Sequence, residues 1–427
     1  MPYYRIIIIF SLIILTQYIF AQERDLMFYQ STASENNPTL KENTTLKQYN
    51  SLQNELTLIP LCKPQVNITG DFLFAPYFFN NGHFISITPN PETNAYGYDV
   101  GLSNGGLYAA QINASLPLFT NKLIGIYGRQ ASIQNQVLDN NNQRLRHELD
   151  KIVADQYVDA YQWQEQISYE KNILSMVEDR KEIIEALVQK GLLEQNEYLL
   201  LDIEIKQRQY DIQQMKIFLS AAFQQLNSTC AILDTTIYTL TSPDLSQGTP
   251  LPSYNYQIQF QLDSAKIKAE ENIFNLKYRP QLTAFGNGGI NSSDAAHIPH
   301  DIGFSAGLHL DIPLYDGNQR KTVSQQNRIL MDNLNLYQNQ NLKLIKNNLA
   351  SLDQQIELTQ KSIPMLNSKL ASQESLLQII RDKVITGQIS VTDYLNALQD
   401  YATSRQNKIQ AQTSLWLLIN QYNYENW

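Results

Sequence analysis

The stretches "VQKGLLEQNEYL" (Val188–Leu199) and "VITGQISVTDYL" (Val384–Leu395) lie 196 residues apart in a chain of 427 residues. In each stretch an apolar segment reaches a glycine, and Tyr-Leu begins seven residues after it. Glycine commonly ends a helix because it adopts the left-handed conformation without a steric cost. The two stretches therefore predict two helical hairpins, one turning at Gly191 and the other at Gly387.

The same offset of 196 residues separates Pro117 from Pro313, and alternating apolar and polar residues precede both prolines. This period of two is typical of a β-strand with one apolar and one polar face. Related segments, "KPQVNITGDF" from Lys63 and "RPQLTAFGNG" from Arg279, alternate in the same way. Each half of the chain is therefore predicted to open with a pair of strands. The first pair is separated by about twenty additional residues, which we interpret as a longer loop.

After each strand pair the period changes to that of a helix. Apolar residues recur in heptads between Ile345 and Val384, and the same positions recur between Leu149 and Val188, where nine of twelve are apolar. Some 70 residues from the strand turn to the glycine would extend about 105 Å as a helix. We expect Pro364 to kink the second long helix without ending it, and Glu194 and Ser390 to be the N-caps of the returning helices.

The chain is predicted to divide into five segments. They are a signal peptide (1–21), an N-terminal helical segment (22–62), a first repeat (63–226), a connector with one short strand (227–254) and a second repeat that opens with a helix (255–427). The first segment has Arg5, an apolar run and Ala21, as secretory signals do. The alternative is a retained anchor, although the run is shorter than the roughly 20 residues that span a bilayer.

Composition and the lack of recognisable motifs argue against nucleic-acid binding, metal binding and catalysis. A net charge of -9 argues against a nucleic-acid partner. The sequence shows neither a metal-ligand cluster nor a catalytic motif, so we predict no metal, no cofactor and no enzyme activity. Cys62 and Cys230 could pair in an oxidising compartment, or each could be a small buried residue.

The four predicted strands have the length and alternation of transmembrane β-strands. Four strands cannot close into a barrel, and an open edge in lipid leaves backbone groups unpaired, so several chains must pool their strands. Two chains would give eight strands and a filled interior, whereas three would give twelve and room for water. The polar face favours the water-filled barrel and supplies candidate lumen residues. These are Gln111, Asn113, Ser115, His309 and Asp311.

The sequence resembles the TolC-type outer-membrane efflux proteins. The resemblance is carried by "PLFTN" and "PLYDG" after the strands, by "KGLLEQNEYLLLDIEIK" and "TGQISVTDYLNALQDYATSRQ" at the helical turns, and by "NIFNLKYRPQLTAFG" before the third strand. It implies an α+β fold of two repeats, each with a β-hairpin and a long helical hairpin. It also implies a homotrimer with a shared 12-stranded barrel in outer-membrane lipid and a helical tunnel in the periplasm. A periplasmic adaptor and an inner-membrane transporter are the implied partners.

The same resemblance assigns roles to the helical turns. The residues expected to contact the adaptor are Lys190, Gly191, Leu192, Leu193, Thr386, Gly387, Gln388 and Ile389. Glu197 and Asp393 match the acidic pore ring of the family, whereas Asn396 stands where related channels often have a further acid. The alternative is that the two acids only stabilise the returning helices.

The predicted function is that of a passive exit duct in a tripartite efflux or type I secretion system, driven by its partners. The alternative is a periplasmic coiled-coil adaptor or another interaction protein. Such a protein is expected to have one helical hairpin and no duplicated pair of amphipathic strands.

Overall fold

The structure is a computed structural model that describes residues 23–88, 90–97, 108–251, 254–292 and 297–427. The predicted signal peptide (1–21) lies outside the described residues. The chain forms two compact units. Of the described residues, the helical unit takes those within Met1–Asn43, Asn140–Ile258 and Gln338–Trp427, and the strand unit takes those within Thr44–Asp139 and Gln259–Tyr337. Each unit combines segments from both sequence repeats.

The described residues contain six β-strands, all in the strand unit. They are β1 (Gln65–Phe72), β2 (Tyr77–Asn80), β3 (His83–Ser86), β4 (Tyr108–Leu118), β5 (Gln281–Ser292) and β6 (Ile302–Asp311). Four of them form an antiparallel sheet in the order β1-β4-β5-β6. The two predicted strand pairs are therefore confirmed, and they join into one sheet. The predicted long loop of the first pair contains a small hairpin, β2-β3.

Seven α-helices are described. They are α1 (Leu26–Asn36), α2 (Pro38–Cys62), α3 (Asn121–Gln189), α4 (Gln195–Thr229), α5 (Tyr254–Phe274), α6 (Gln319–Ile385) and α7 (Val391–Glu425). The helix α6 continues through Pro364, as expected. A short 3-10 turn, Asn275–Tyr278, follows α5.

The register of the four-stranded sheet places apolar side chains on one face and polar side chains on the other. Successive residues of a strand point to opposite faces, and paired residues share a face. One face is apolar on all four strands and is represented by Ile68, Ile112, Ile290 and Phe304. The opposite face is polar and includes Asn67, Asn113, Asn287 and Ser305, which lie in one row across the sheet.

The core of the helical unit follows the predicted heptads. Val153, Val177, Ile184 and Val384 are buried, and they lie in clusters formed by side chains from several helices. The second cluster joins α3, α4, α6 and α7 near the two predicted turns. The heptad pattern therefore identified the faces on which the long helices pack.

Two expectations need correction. The described part of the connector contains no strand, only an isolated parallel bridge between Leu240 and Arg24. Both cysteines are free thiols, and Cys62 is exposed, so the interpretation of Cys62 as a buried residue is wrong. That interpretation holds for Cys230, whose burial raises the pKa of the thiol to about 12.

Candidate functional site

The polar face of the sheet brings together all five residues that the sequence assigned to a lumen. Gln111, Asn113 and Ser115 lie on β4, and His309 and Asp311 lie on the same face of β6. The Asn113 side-chain amide donates to Thr69 Oγ1 at 2.8 Å, which links β4 to β1. The face is therefore a connected polar surface that can meet water.

This polar face carries few charges. Between Gln65 and Asp311 its charged side chains on the four strands are Asp71 and Asp311, while the remaining polar groups are amides, hydroxyls and the imidazole of His309. The Ser305 hydroxyl donates to Asn287 Oδ1 across the β5-β6 pair. Such a surface can hydrate a polar solute without strong selection by charge.

The apolar face is exposed in the single chain. Phe304 is 92% exposed, and the neighbouring Ile68, Ile112 and Leu308 are also exposed. A contiguous apolar surface of this kind marks a membrane or protein interaction site. Together the two faces have the composition expected of a sheet that separates lipid from water.

The two predicted helical turns have the same backbone geometry. Gly191 and Gly387 adopt φ values of 70° and 69°. After α3, Leu192 N–H donates to Leu187 O at 2.9 Å and Gly191 N–H donates to Val188 O at 2.8 Å. Corresponding bonds follow α6, so both helices end in a Schellman motif. The predicted left-handed caps are confirmed.

The eight predicted adaptor contacts divide into two groups at these turns. Leu193 and Ile389 pack against the apolar cluster that joins the four helices. The other six are exposed, and Leu192 presents 67% of its surface to solvent. The turns thus combine an anchored residue with exposed ones, an arrangement that can hold a docking surface in place.

The two candidate gate acids contact the first turn of α7. Glu197 Oε2 accepts a hydrogen bond from Val391 N–H at 3.0 Å, which joins the first hairpin to the second. Ser390 Oγ accepts from Asp393 N–H at 3.1 Å and donates to Asp393 Oδ2 at 2.8 Å. Both carboxylates therefore stabilise the positive end of a helix, the role that the alternative interpretation gave them.

The other two predicted positions at the turns lack such contacts. Glu194 occupies the N-cap position of α4, but its side chain makes no capping hydrogen bond. Asn196 Oδ1 accepts from Glu197 N–H instead, at 2.9 Å. Asn396 is exposed on α7, one turn beyond Asp393.

A buried ionic network joins three helices, and sequence reasoning did not identify it. Arg208 Nη1 lies 2.5 Å from Glu170 Oε1, and Arg208 Nη2 lies 2.7 Å from Glu204 Oε1. Arg208 Nη2 also donates to Gln399 Oε1 at 3.0 Å. Burial lowers the pKa of Arg208, but the neighbouring glutamates outweigh it and the net shift is upward. The network ties α3, α4 and α7 together.

A signal for such pairs was present in the heptad pattern. Glu170 and Lys181 are polar residues at positions that are otherwise apolar. In the structure Glu170 meets Arg208, and Lys181 meets Asp202 at 2.6 Å. A charged residue within an apolar stripe predicts an ionic partner on the facing helix, although the sequence does not identify which residue it is.

None of the described helices is apolar over enough of its length to cross a bilayer. Within the described ranges no group of three or more His, Cys, Asp or Glu side chains is placed to hold a metal ion.

Comparison with known proteins identifies the fold. Residues 259–416 match the family described as outer membrane efflux protein. No curated protein sequence matches the chain.

Several solved channels share this architecture. The chain is similar to CusC, with a TM-score of 0.68 and 15% identity over 94% of this chain and 92% of that one. It is similar to VceC of Vibrio cholerae, with a TM-score of 0.66 and 13% identity over 94% and 96% of the two chains. It is also similar to the open state of the MtrE channel of Neisseria gonorrhoeae, with a TM-score of 0.66 and 13% identity over 94% of this chain and 88% of that one. The predicted TolC-like fold is confirmed.

Proposed function

We propose that this chain is the outer-membrane exit duct of a tripartite efflux or type I secretion system. It has the fold of TolC-type outer-membrane channels, and residues 259–416 match the outer membrane efflux protein family. Three copies pool their strands into a 12-stranded barrel, and the helices form a periplasmic tunnel. Small molecules or polypeptides pass through it, driven by an inner-membrane transporter.

The observation that carries this proposal is the two-faced sheet. Its order, β1-β4-β5-β6, leaves β1 and β6 as edge strands. Its apolar face suits lipid, but an unpaired strand edge in lipid costs several kcal/mol for each backbone group. Pairing β1 of one copy with β6 of the next satisfies both edges. Three copies then provide a lumen lined by the polar face, which includes the five candidate lumen residues.

The helical turns are proposed as the docking surface for the periplasmic adaptor. Exposed residues there, including Leu192 and Gln388, sit on turns fixed by left-handed glycines and by the packing of Leu193 and Ile389. Glu197 and Asp393 are proposed to add negative charge to the pore entrance. Their bonds to the start of α7 hold them in place, and exposed Asn396 adds polarity without charge.

The experiment that tests the barrel is disulfide cross-linking between copies. In a Cys62→Ser background, Asn67→Cys on β1 is combined in turn with Gly303→Cys, Ser305→Cys and His309→Cys on β6. These positions share the polar face, so at least one combination is expected to bring two thiols within disulfide distance. We expect covalent dimers and trimers in the outer-membrane fraction.

The control for this experiment replaces Asn67→Cys with Ile68→Cys. Ile68 is the next residue on β1 and lies on the apolar face, so it should not cross-link to the polar positions of β6. Recovery of the wild-type protein as a soluble periplasmic monomer would contradict the proposal and favour the coiled-coil adaptor.

A further inference from the structure

Positive charge is distributed unevenly along the strands. The sequence has no Lys or Arg between Lys63 and Lys122, or between Arg279 and Arg320. These two intervals contain all four strands of the sheet and the connections at their far ends. The far connections contain acids, including Glu92 and Asp301. Lys and Arg residues therefore flank the sheet at only one end of its strands.

The register places these cations at one end of the sheet. Gln65 pairs with Ser115, Leu118 pairs with Leu282, and Gln281 pairs with Asp311. The start of β1, the end of β4, the start of β5 and the end of β6 thus lie together. We call the cations beside this end the basic rim. It comprises Lys63, Lys122, Lys277, Arg279, Arg320, Lys321 and Arg328.

The basic rim includes an open groove of about 810 Å³ within the strand unit. Its lining includes Tyr278, Tyr315, Arg320, Lys321, Ser324 and Arg328. The Tyr278 ring has cations near it, with Lys277 Nζ 5.1 Å and the Arg320 guanidinium 5.8 Å from its centroid. Hydroxyl and guanidinium groups in one groove are typical ligands of a phosphate.

The cations of the groove are available for a ligand. Among the described residues, Arg320, Lys321 and Arg328 form no ion pair, and the one ring contact of Arg320, with Tyr278, leaves its charge uncompensated. The nearby acid, Asp316, is engaged at the start of α6, where its Oδ2 accepts from Arg320 N–H at 2.8 Å and its Oδ1 from Asn318 N–H at 2.9 Å. The groove therefore keeps an excess of positive charge.

Large apolar side chains stand beside this groove without protein cover. Leu314 and Tyr315 line the groove, and they are 93% and 85% exposed. Aromatic residues and cations together are typical of the boundary between the hydrocarbon and head-group layers of a membrane. The apolar face of β6 ends at Leu310, four residues before Leu314, so it leads toward this boundary.

We propose that the groove lined by Arg320, Lys321 and Arg328 binds the phosphate of an anionic phospholipid head group. The lipid belongs to the leaflet that meets the helix-connected end of the sheet, and its acyl chains lie along the apolar face. This inference rests on the proposed function, because it requires the sheet to sit in a membrane. Lipid binding at the rim fixes the depth of the barrel in the bilayer.

The experiment uses the full-length protein extracted from the outer membrane in detergent. Its oligomeric state is measured first by native mass spectrometry, and it is then titrated with phosphatidylglycerol, phosphatidylcholine or inorganic phosphate. The test variant is Arg320→Gln/Lys321→Gln/Arg328→Gln. It preserves the cap of α6, because Asp316 is bound by the backbone N–H of Arg320. The matched control, Lys343→Gln/Lys346→Gln/Lys369→Gln, removes the same charge from exposed positions farther along α6.

We expect the wild-type trimer to prefer phosphatidylglycerol to phosphatidylcholine by at least about 10-fold. Each cation near an anionic surface contributes about 1 kcal/mol. The test variant should therefore bind phosphatidylglycerol on the order of 100-fold more weakly, while the control variant binds it as the wild type does.

Three results would overturn the inference. The first is unchanged phosphatidylglycerol binding by the test variant, and the second is inorganic phosphate that displaces the lipid at equal concentration, which would indicate a site for free anions. The third is loss of the trimer in the test variant, which would indicate that acids of a second copy occupy the groove. A wild-type protein that is not a trimer would contradict the proposed function itself, before any lipid is added.

Discussion

At the residue scale, the two helical turns require glycine because of their backbone conformation and not because a side chain would lack room. A Cβ atom at Gly191 or Gly387 would meet no heavy atom within 4 Å. The left-handed backbone alone therefore disfavours other residues, at a cost of about 1–2 kcal/mol. Any docking function is additional to this conformational requirement.

We predict that Gly387→Ala destabilises the protein by about 1 kcal/mol because of its φ of 69°. The matched control is Gly128→Ala inside α3, where a Cβ atom also meets nothing and the helical conformation is ordinary. This control should be neutral or stabilising by up to about 1 kcal/mol. Thermal unfolding followed by circular dichroism distinguishes the two, and equal shifts would show that the turn is not under conformational control.

The two roles of Glu197 can be separated by two substitutions. Glu197→Gln removes the charge but keeps an oxygen that can accept from Val391 N–H, whereas Glu197→Ala removes both. We predict that Glu197→Ala costs about 1 kcal/mol and increases amide exchange at Val391, while Glu197→Gln largely preserves this protection.

Conductance in planar bilayers then tests the charge at Glu197. If its carboxylate contributes to the pore, both variants should show equally reduced cation selectivity. Reduced selectivity in Glu197→Ala alone would mean that the residue acts only as a cap.

At the element scale, ionic pairs hold the helices in register where the apolar stripe is interrupted. Lys181 on α3 and Lys206 on α4 both contact Asp202, at 2.6 Å and 2.7 Å. Their hydrogen bonds lower the pKa of Asp202 to about 2. The first hairpin therefore has an acid-sensitive link in addition to its apolar packing.

We predict that this link weakens in acid. Because the pKa of Asp202 is lower in the folded protein than the usual value of about 3.9, its contribution is complete above about pH 4 and is lost as the pH falls through about 2. The difference in unfolding midpoint between wild type and Asp202→Asn should shrink between pH 5 and pH 2. Asp179→Asn, at an exposed position on α3, is the matched substitution that leaves the contacts of Asp202 with Lys181 and Lys206 in place.

The buried network predicts a larger effect. Arg208→Met leaves Glu170, which is 8% exposed, without its ionic partner. We expect a loss of about 3–5 kcal/mol in unfolding free energy, and the double variant Glu170→Leu/Arg208→Met should recover part of it. Lys206→Met, which removes a side chain that is 71% exposed, should cost at most about 1 kcal/mol. Denaturant unfolding of the three variants checks this order, and an equal loss in all three would contradict it.

At the scale of the whole molecule, the proposed function requires one face of the sheet to meet lipid and the other to meet water. Leu308 and His309 are neighbours on β6 that lie on opposite faces. We predict that Leu308→Arg loses about 2–4 kcal/mol of membrane stability if it reaches the bilayer midplane, whereas His309→Arg changes stability little. Urea titration of folded protein in lipid vesicles measures both.

A greater loss of stability from His309→Arg than from Leu308→Arg would mean that the polar face is buried against protein and that the apolar face does not meet lipid. An equally large loss of stability in both variants would mean that neither face adjoins water, which is incompatible with a water-filled barrel.

The sequence by itself determined the repeat, the strand pairs, the long helices and the left-handed turns at Gly191 and Gly387. These features follow from local rules, since alternation sets the strand faces, heptads set the helix faces and glycine permits positive φ. The five candidate lumen residues could be grouped in advance for the same reason, because a period of two fixes which side chains share a face.

Only the tertiary structure decided which distant residues meet. It paired β4 with β5 into one sheet, brought Arg208 to Glu170 and Gln399, and placed Glu197 against Val391 of the other hairpin. Such contacts depend on how elements from different parts of the chain approach each other, and many partners of one charge type satisfy the same sequence pattern. Local periodicity therefore determined the faces of each element, and packing determined what each face contacts.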